Sequence, residues 1–397
     1  MALTEYIIDT CNAADFTGAG THYTIQANNG DLYIFYIDSL TDVAYMKSTD
    51  KGVSLGNPVV LVATTATQLA YWYDRWSGIA TDLVCLAYTE SVGNDTIWAT
   101  FNTATDILGT AATVHAGTSA AGGGALSICR SRGGNVYIKT CIDAGAEGGF
   151  YKCLNANVGG TNAVEAALTD SEALATADQW ILMPGWAADT NDMAMFFWDA
   201  SAEEISLLNY DDSGNTWAET ARTELSIATS MTDTVASTDY PHFAAAVDTA
   251  NSRNLLVAWS ARDTLNADLR CWHVADRTVT EVTNVVQNST DDQGFAAIGI
   301  NTDTQDWYVV FAGKADGSET MGTNVTLNYK VSTDDGAIWG VETPLSTRLR
   351  LRRSVWTIPR FSGSLVSHGV YEQSSGGARG VAVAVNIPTG SAHVIGG

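Results

Sequence analysis

The sequence predicts an all-β fold of repeated four-stranded antiparallel units, and three observations predict it. Helical periodicity is almost absent from the 397 residues, whereas short alternating or wholly apolar runs recur between clusters of Gly, Asn, Asp and Ser. An aromatic-rich apolar run after a polar turn returns seven times, at intervals of roughly 51 to 62 residues. A turn signature follows some of these units, clearest at Ser332-Thr333-Asp334-Asp335-Gly336-Ala337-Ile338-Trp339.

The seven recurring runs are read as the second strand of each unit. They are Asp31–Ile37, Asp82–Tyr88, Asn135–Cys141, Asp192–Trp198, Asn254–Trp259, Asp306–Phe311 and Ser364–Val370. In the first unit Tyr23–Ala27 precedes this strand, and Val43–Ser48 and Pro58–Ala63 follow it. The fifth unit repeats the layout with Pro241–Val247, Asn254–Trp259, Leu269–Val274 and Glu281–Val286. The last unit supplies only Trp356–Phe361, Leu365–Tyr371 and Val381–Ile387, so the spare strand Glu5–Asp9 is expected to complete it. Closing a ring in this way removes open sheet edges. The spacing fits a single-domain, seven-bladed β-propeller, with blades at about 17–66, 67–117, 118–170, 171–230, 231–288, 289–347 and 348–397, the last joined by strand 4–10. Six blades plus a terminal extension is the alternative count.

Composition narrows the function. At 46% hydrophobic and 16% charged residues the chain can bury a large core, which excludes a disordered polypeptide. A net charge of −24 with 20 Lys and Arg opposes binding to nucleic acid or to an anionic membrane surface. The N-terminus has no basic start followed by an apolar run, so no secretory leader is read there, and no apolar stretch is long enough to span a bilayer. Cys11, Cys85, Cys129, Cys141, Cys153 and Cys271 match no metal or redox spacing, although Cys141 and Cys153 could meet across a hairpin. The six histidines show no ligand spacing, and no nucleophile elbow, phosphate loop or dinucleotide fingerprint occurs. No cofactor or metal is expected.

Ligand sites in propellers usually lie where loops from an outer strand to the next inner strand reach the central channel. Read at those connections, the chain offers His22-Tyr23; Tyr71, Trp72, Tyr73, Asp74, Arg75 and Trp76; Gly122–Gly124; Trp180 with Trp186; Tyr240 and His242 beside Asp239; Asp291-Asp292; and Arg348–Trp356. Exposed Trp and Tyr rings flanked by Asp or Arg suit stacking on sugar rings. The competing reading is that these rings pack between blades. Alternation in an extended segment would set Arg348, Arg350 and Arg352 on one face, with Arg353 beside them, as an anion or partner site or as internal charge balance.

The turn at Ser332–Trp339, with weaker copies at Ser48–Leu55 and Tyr210–Trp217, resembles the Asp-box (BNR) repeat of sialidase-like β-propellers. Such boxes lie away from the catalytic centre in that family, so the resemblance implies fold and not chemistry. Sialidase activity would further call for three arginines on a carboxylate, a Tyr nucleophile activated by Glu, and an acidic Asp. The family's early Arg-Ile-Pro motif is missing; Thr357-Ile358-Pro359-Arg360 has the residues in another order near the C-terminus. The sequence is therefore read as a non-catalytic recognition or structural propeller for a glycan or protein partner. Asp-box proteins are largely exported, and the lack of a leader would be accounted for by a virion component such as a bacteriophage tail, fibre or surface protein. A sialidase-like glycoside hydrolase is the alternative.

Overall fold

A computed structural model of the chain describes residues 4–9, 23–50, 54–73, 82–117, 126–141, 148–153, 164–168, 179–185, 191–199, 204–219, 243–247, 255–262, 267–275, 278–281, 293–301, 304–313, 326–334, 336–344, 351–356, 360–361, 366–373 and 380–386. All of the regular structure among them is β.

The chain opens with β1 (Thr4–Asp9). The first sheet follows as β2 (Tyr23–Gln26), β3 (Leu32–Ile37), β4 (Val43–Ser48) and β5 (Val59–Val62). The second sheet is β6 (Ala66–Tyr73), β7 (Leu83–Glu90), β8 (Thr96–Asn102), β9 (Ile107–Leu108) and β10 (Ala112–His115). The third is β11 (Ser127–Arg130), β12 (Val136–Cys141), β13 (Gly148–Cys153) and β14 (Val164–Leu168). The fourth is β15 (Gln179–Pro184), β16 (Met193–Asp199), β17 (Glu204–Asp211) and β18 (Thr216–Glu219). The fifth is β19 (Phe243–Val247), β20 (Leu255–Arg262), β21 (Ala267–Ala275) and β22 (Thr278–Glu281). The sixth begins with β23 (Gln293–Asn301), β24 (Trp307–Gly313), β25 (Thr326–Ser332) and β26 (Thr343–Pro344). Last come β27 (Leu351–Trp356), β28 (Arg360–Phe361), β29 (Val366–Gln373) and β30 (Gly380–Asn386).

The chain is an all-β propeller of small antiparallel sheets in a ring. β6 packs on β11, β11 on β15, β15 on β19, β19 on β23 and β23 on β27, while β2 touches both β6 and β27. The seventh sheet runs β1-β30-β29-β27, with Tyr6 opposite Ala382, so the first strand of the chain lies on the last. Five sheets keep to four strands, but the expected uniform four-stranded unit fails in the other two. In the second, β9 inserts as a short return on β8. In the sixth, β28 adds to the inner edge of β23 in parallel, with Ile300 opposite Arg360. That use of Arg360–Phe361 also corrects the seventh unit: its inner strand is Leu351–Trp356, not Trp356–Phe361. In the fifth sheet the outer strand is Thr278–Glu281, set by Ala275 facing Thr278, and not Glu281–Val286.

Why the second strands are apolar on both faces is visible in β3 and β7. Tyr33, Phe35 and Ile37 point at the second sheet and join Val84, Leu86 and Tyr88 in one cluster. The alternate residues Leu83, Cys85 and Ala87 pack with Ile128, Val136 and Ile138 of the third sheet. Period-two alternation thus serves two sheet interfaces at once, as expected of strands sandwiched between neighbours. Phe35 and Phe101 meet edge to face at 5.4 Å, a contact worth about 0.5–1.5 kcal/mol beyond area burial.

Two of the three recurrent turns share one bond set. Asp50 Oδ1 accepts from Ser48 Oγ at 2.8 Å and from the Ser54 N–H at 2.9 Å; Asp334 Oδ1 accepts from Ser332 Oγ at 2.8 Å and from the Ile338 N–H at 2.8 Å. Each turn is closed by a glycine N–H on the strand before it, Gly56 to Lys47 O and Gly340 to Val331 O. Gly336, at φ +84°, makes the left-handed step in the second turn and accepts a bond from Trp339 Nε1 at 3.0 Å. The Tyr210–Trp217 copy differs. Asp211 accepts from Ser213 Oγ and the Gly214 N–H, and Asp211 faces Thr216 across a tight hairpin.

Candidate functional site

β6 is the innermost strand of the second sheet, and its aromatic end is the best-described part of the predicted site. Tyr71, Trp72 and Tyr73 are not in a connection between sheets, as the sequence suggested, but are the last three residues of this strand, opposite Leu86, Cys85 and Val84. The reason is that β6 already starts at Ala66, whose N–H donates to Thr41 O at 2.8 Å. Alternation then divides the rings. Leu69, Tyr71 and Tyr73 pack toward the first sheet, while Ala70 and Trp72 pack toward the third, Trp72 also reaching the cluster shared with the fourth. Tyr73 is buried; Tyr71 and Trp72 are half-buried. The Tyr71 hydroxyl donates to Thr24 O of the neighbouring inner strand at 3.5 Å. Asp74, Arg75 and Trp76 lie outside the described residues.

The turns after β2 and β11 each reach the residues that lead into the second strand of the next sheet. Side chains there tie one turn to the next. Asn28 Nδ2 donates to Asp82 Oδ1 at 3.4 Å, and Ser131 Oγ bonds Asn191 Oδ1 at 3.0 Å. Arg130, at the end of β11, is 2% exposed and its Nε donates to Gly134 O at 3.1 Å. A Cβ on Gly185 would lie 2.7 Å from the Asp192 carbonyl, so only glycine fits this close approach after β15.

Trp180 has a different place from the one expected. It is 3% exposed on β15, packed with Tyr137, Phe150 and Leu182, and its Nε1 donates to Lys139 O at 3.4 Å. Lys139 Nζ lies 5.3 Å from the ring centroid, a buried cation–π contact. Neither face of Trp180 is open to a ligand. Tyr240, His242, Arg348 and Arg350 lie outside the described residues. Arg352 and Arg353 lie in β27, and the register slips between Leu351 and Arg353, so a bulge at Arg352 interrupts the simple alternation proposed for the arginines.

Sequence reasoning missed a pair of inter-sheet clamps. Tyr33 donates to Asp106 Oδ1 at 2.6 Å, and Lys47, opposite Tyr33 on β4, bonds Asp106 Oδ2 at 2.9 Å and Asp31 at 3.1 Å. Tyr137 and Lys152 repeat the arrangement on Asp212 of the next sheet, at 2.6 and 2.8 Å. The available signal was the recurrence of Asp31-Leu32-Tyr33 as Asn135-Val136-Tyr137, each with a lysine on the paired strand. Burial first, then the carboxylate, pushes both phenols well above the ordinary tyrosine range. Burial alone would lower Lys47, but its bonds to Tyr33, Asp106 and Asp31 outweigh it and raise the ammonium. Among the described residues no three His, Cys, Asp or Glu side chains gather as they would around a metal ion.

No protein-family model matches the sequence, and no curated protein matches it. Solved structures do match the fold. A polysaccharide lyase of family PL25, an ulvan lyase, superposes with a TM-score of 0.57 over 97% of this chain and 96% of its own, at 9% identity. The BP39L lectin from Burkholderia pseudomallei gives 0.58 over 97% and 100%, at 12% identity. A triple arginine-to-alanine mutant of AofleA from Arthrobotrys oligospora gives 0.50 over 87% and 90%, at 11% identity.

Proposed function

We propose that the chain is a non-catalytic glycan-recognition propeller of the Asp-box type, its seven sheets forming seven blades closed by β1. The observation that carries this reading is the half-buried pair Tyr71 and Trp72 on an innermost strand. Each ring is fixed on one side by a neighbouring sheet and keeps part of its surface open, which is the arrangement that lets a rigid aromatic receive a sugar face with little loss of side-chain entropy. The matching bond sets at Asp50 and Asp334 support the Asp-box assignment. A lectin and a polysaccharide lyase among the propellers of similar shape are in keeping with a carbohydrate ligand.

The sialidase-like hydrolase reading needs an activated tyrosine. Every described tyrosine with a resolved shift moves the other way, with burial the first cause in each case: Tyr33, Tyr45, Tyr88, Tyr137, Tyr210 and Tyr308 are all harder to ionise. A phenol held protonated is a poor nucleophile. Placement in a virion draws no support from the fold and forms no part of this proposal.

The test is a glycan-array screen of the purified chain, repeated with Trp76→Ala and Trp72→Ala. Binding that falls at least about tenfold in either variant while both remain folded supports the reading, since tenfold corresponds to roughly 1.4 kcal/mol of lost contact. Wild-type protein that binds no glycan overturns it. Because Trp72 also fills space between sheets, Trp72→Phe is the control that separates ring loss from loosened packing.

A further inference from the structure

We propose that the ring is built, and opens, in pairs of sheets: first with second, third with fourth, fifth with sixth, the seventh closing the circle alone. This stands apart from the glycan reading and starts from one register position. The second residue of each sheet's second strand faces a fixed residue on the third strand. That pair is Tyr33 with Lys47 in the first sheet and Tyr137 with Lys152 in the third. In the second, fourth and sixth sheets it is Val84 with Phe101, Ala194 with Asn209 and Tyr308 with Val331. The fifth sheet has His273 facing Leu256. A basic side chain thus recurs in every other sheet.

Each of these bases meets the turn after the third strand of the sheet that follows. Lys47 and Tyr33 share Asp106, and Lys152 and Tyr137 share Asp212. In the corresponding turn of the sixth sheet, a Cβ on Gly336 would lie 3.8 Å from His273 Cδ2. Trp339, from the same turn, packs in one cluster with Cys271, two positions before His273, so this turn too is seated on the preceding sheet. The seam between the second and third sheets is joined differently. The Tyr151 hydroxyl bonds His115 Nδ1 at 2.9 Å, and the Thr96 and Thr140 hydroxyls meet at 3.1 Å, with no carboxylate in either contact. Charge-assisted bonds are roughly twice as strong as neutral ones. Alternating stronger and weaker seams lets a ring of similar units come apart in blocks of two. The half-buried rings of β6 fall on the two kinds of seam, Tyr71 on the clamped one with the first sheet and Trp72 on the one with the third.

The experiment is native-state hydrogen exchange on the intact chain in low guanidinium, read sheet by sheet by mass spectrometry of peptic fragments. The third and fourth sheets should lose protection at one shared denaturant concentration. Asp212→Asn should speed exchange in both by at least about tenfold, as loss of a charge-assisted bond implies, and leave the first and second sheets at their wild-type rates. Asp106→Asn should do the converse with a smaller rise, and His273→Ala should speed the fifth and sixth sheets together. Tyr151→Phe, which removes a tie between the second and third sheets, should leave those two exchanging independently. An effect of any clamp variant that spreads equally through all seven sheets, or stays within one sheet, overturns the proposal. So does a Tyr151→Phe variant that speeds the second and third sheets together as much as Asp212→Asn speeds its own pair.

Discussion

Tyr137 on β12 donates a 2.6 Å hydrogen bond to Asp212, which belongs to the turn after β17 in the neighbouring sheet. Lys152 bonds both oxygens of the same carboxylate, at 2.9 and 2.8 Å, so one Asp closes the boundary between two sheets from the far side. Asp106 does the same for Tyr33 and Lys47 between the first and second sheets. Propeller sheets are joined chiefly by nondirectional packing of their apolar faces. A polar clamp of this kind fixes how far one sheet slides along the next.

The clamp predicts an unequal pair of mutants. Asp212→Asn keeps the shape and the acceptor for Tyr137 but strands the Lys152 charge, whose side chain is 17% exposed. It should destabilise the fold by roughly 1–3 kcal/mol, read as a lowered denaturation midpoint. Asp106→Asn should cost less, because Asp106 is 35% exposed and water can take over its role. Equal losses, or none, would show that packing alone sets the sheet boundary.

Acid should act on the Asp50 turn. The Ser54 hydroxyl, the Ser54 N–H and the Ser48 hydroxyl hold the Asp50 carboxyl down at about 2. Its folded value lies below the unfolded one of about 3.9, so the contribution is complete above that value and is lost as pH falls through about 2. Asp50→Ala and the wild type should therefore differ in unfolding midpoint at neutral pH and converge between about pH 4 and 2. A difference that persists undiminished at the acid end would mean that the carboxylate's charge is irrelevant to this turn.

How much of this was legible in the sequence depends on the range of the interaction. β3, β4 and β12 fall where the apolar runs put them, because alternation and polar turns are local signals. The start of β6 was missed because the connection before it, Ala63-Thr64-Thr65, lacks the Gly, Asp or Asn that marks a turn, and the strand itself is almost wholly apolar. Trp180 reads the same whether its ring meets sugar or Phe150; only the neighbouring sheet decides. The clamps were half legible for a related reason: the repeated Tyr with its paired Lys is a local pattern, but the Asp that each pair grips is 73 positions from Tyr33 and 75 from Tyr137.

The seam between β1 and β30 gives a test of the ring itself. Thr4 to Asp9 pair along Ala384 to Gly380, so removing residues 1–9 leaves β30 with an open edge. The truncated chain should unfold at a lower denaturant concentration and tend to aggregate, and a synthetic peptide of residues 2–10 added in trans should restore the midpoint. If truncation leaves the midpoint unchanged, the seam contributes nothing to closure.

The thiols offer the last prediction, and it reverses an expectation from spacing. In the β12–β13 hairpin Cys141 faces Gly148 while Cys153 faces Val136, which puts the two cysteines at opposite ends. Five strand steps at ~3.4 Å separate them by about 17 Å, against the roughly 5.5–6 Å between Cα atoms that a disulfide requires. Cys153 is instead a reduced, buried thiol, as are Cys85, Cys129 and Cys271. Burial, and after it the neighbouring Cys85, push the Cys153 thiol far up, so no reactive thiolate forms at neutral pH. Mass spectrometry after brief alkylation should find these four cysteines unmodified in the folded protein and all four modified in denaturant. A peptide in which Cys141 and Cys153 are crosslinked would refute the register of that hairpin.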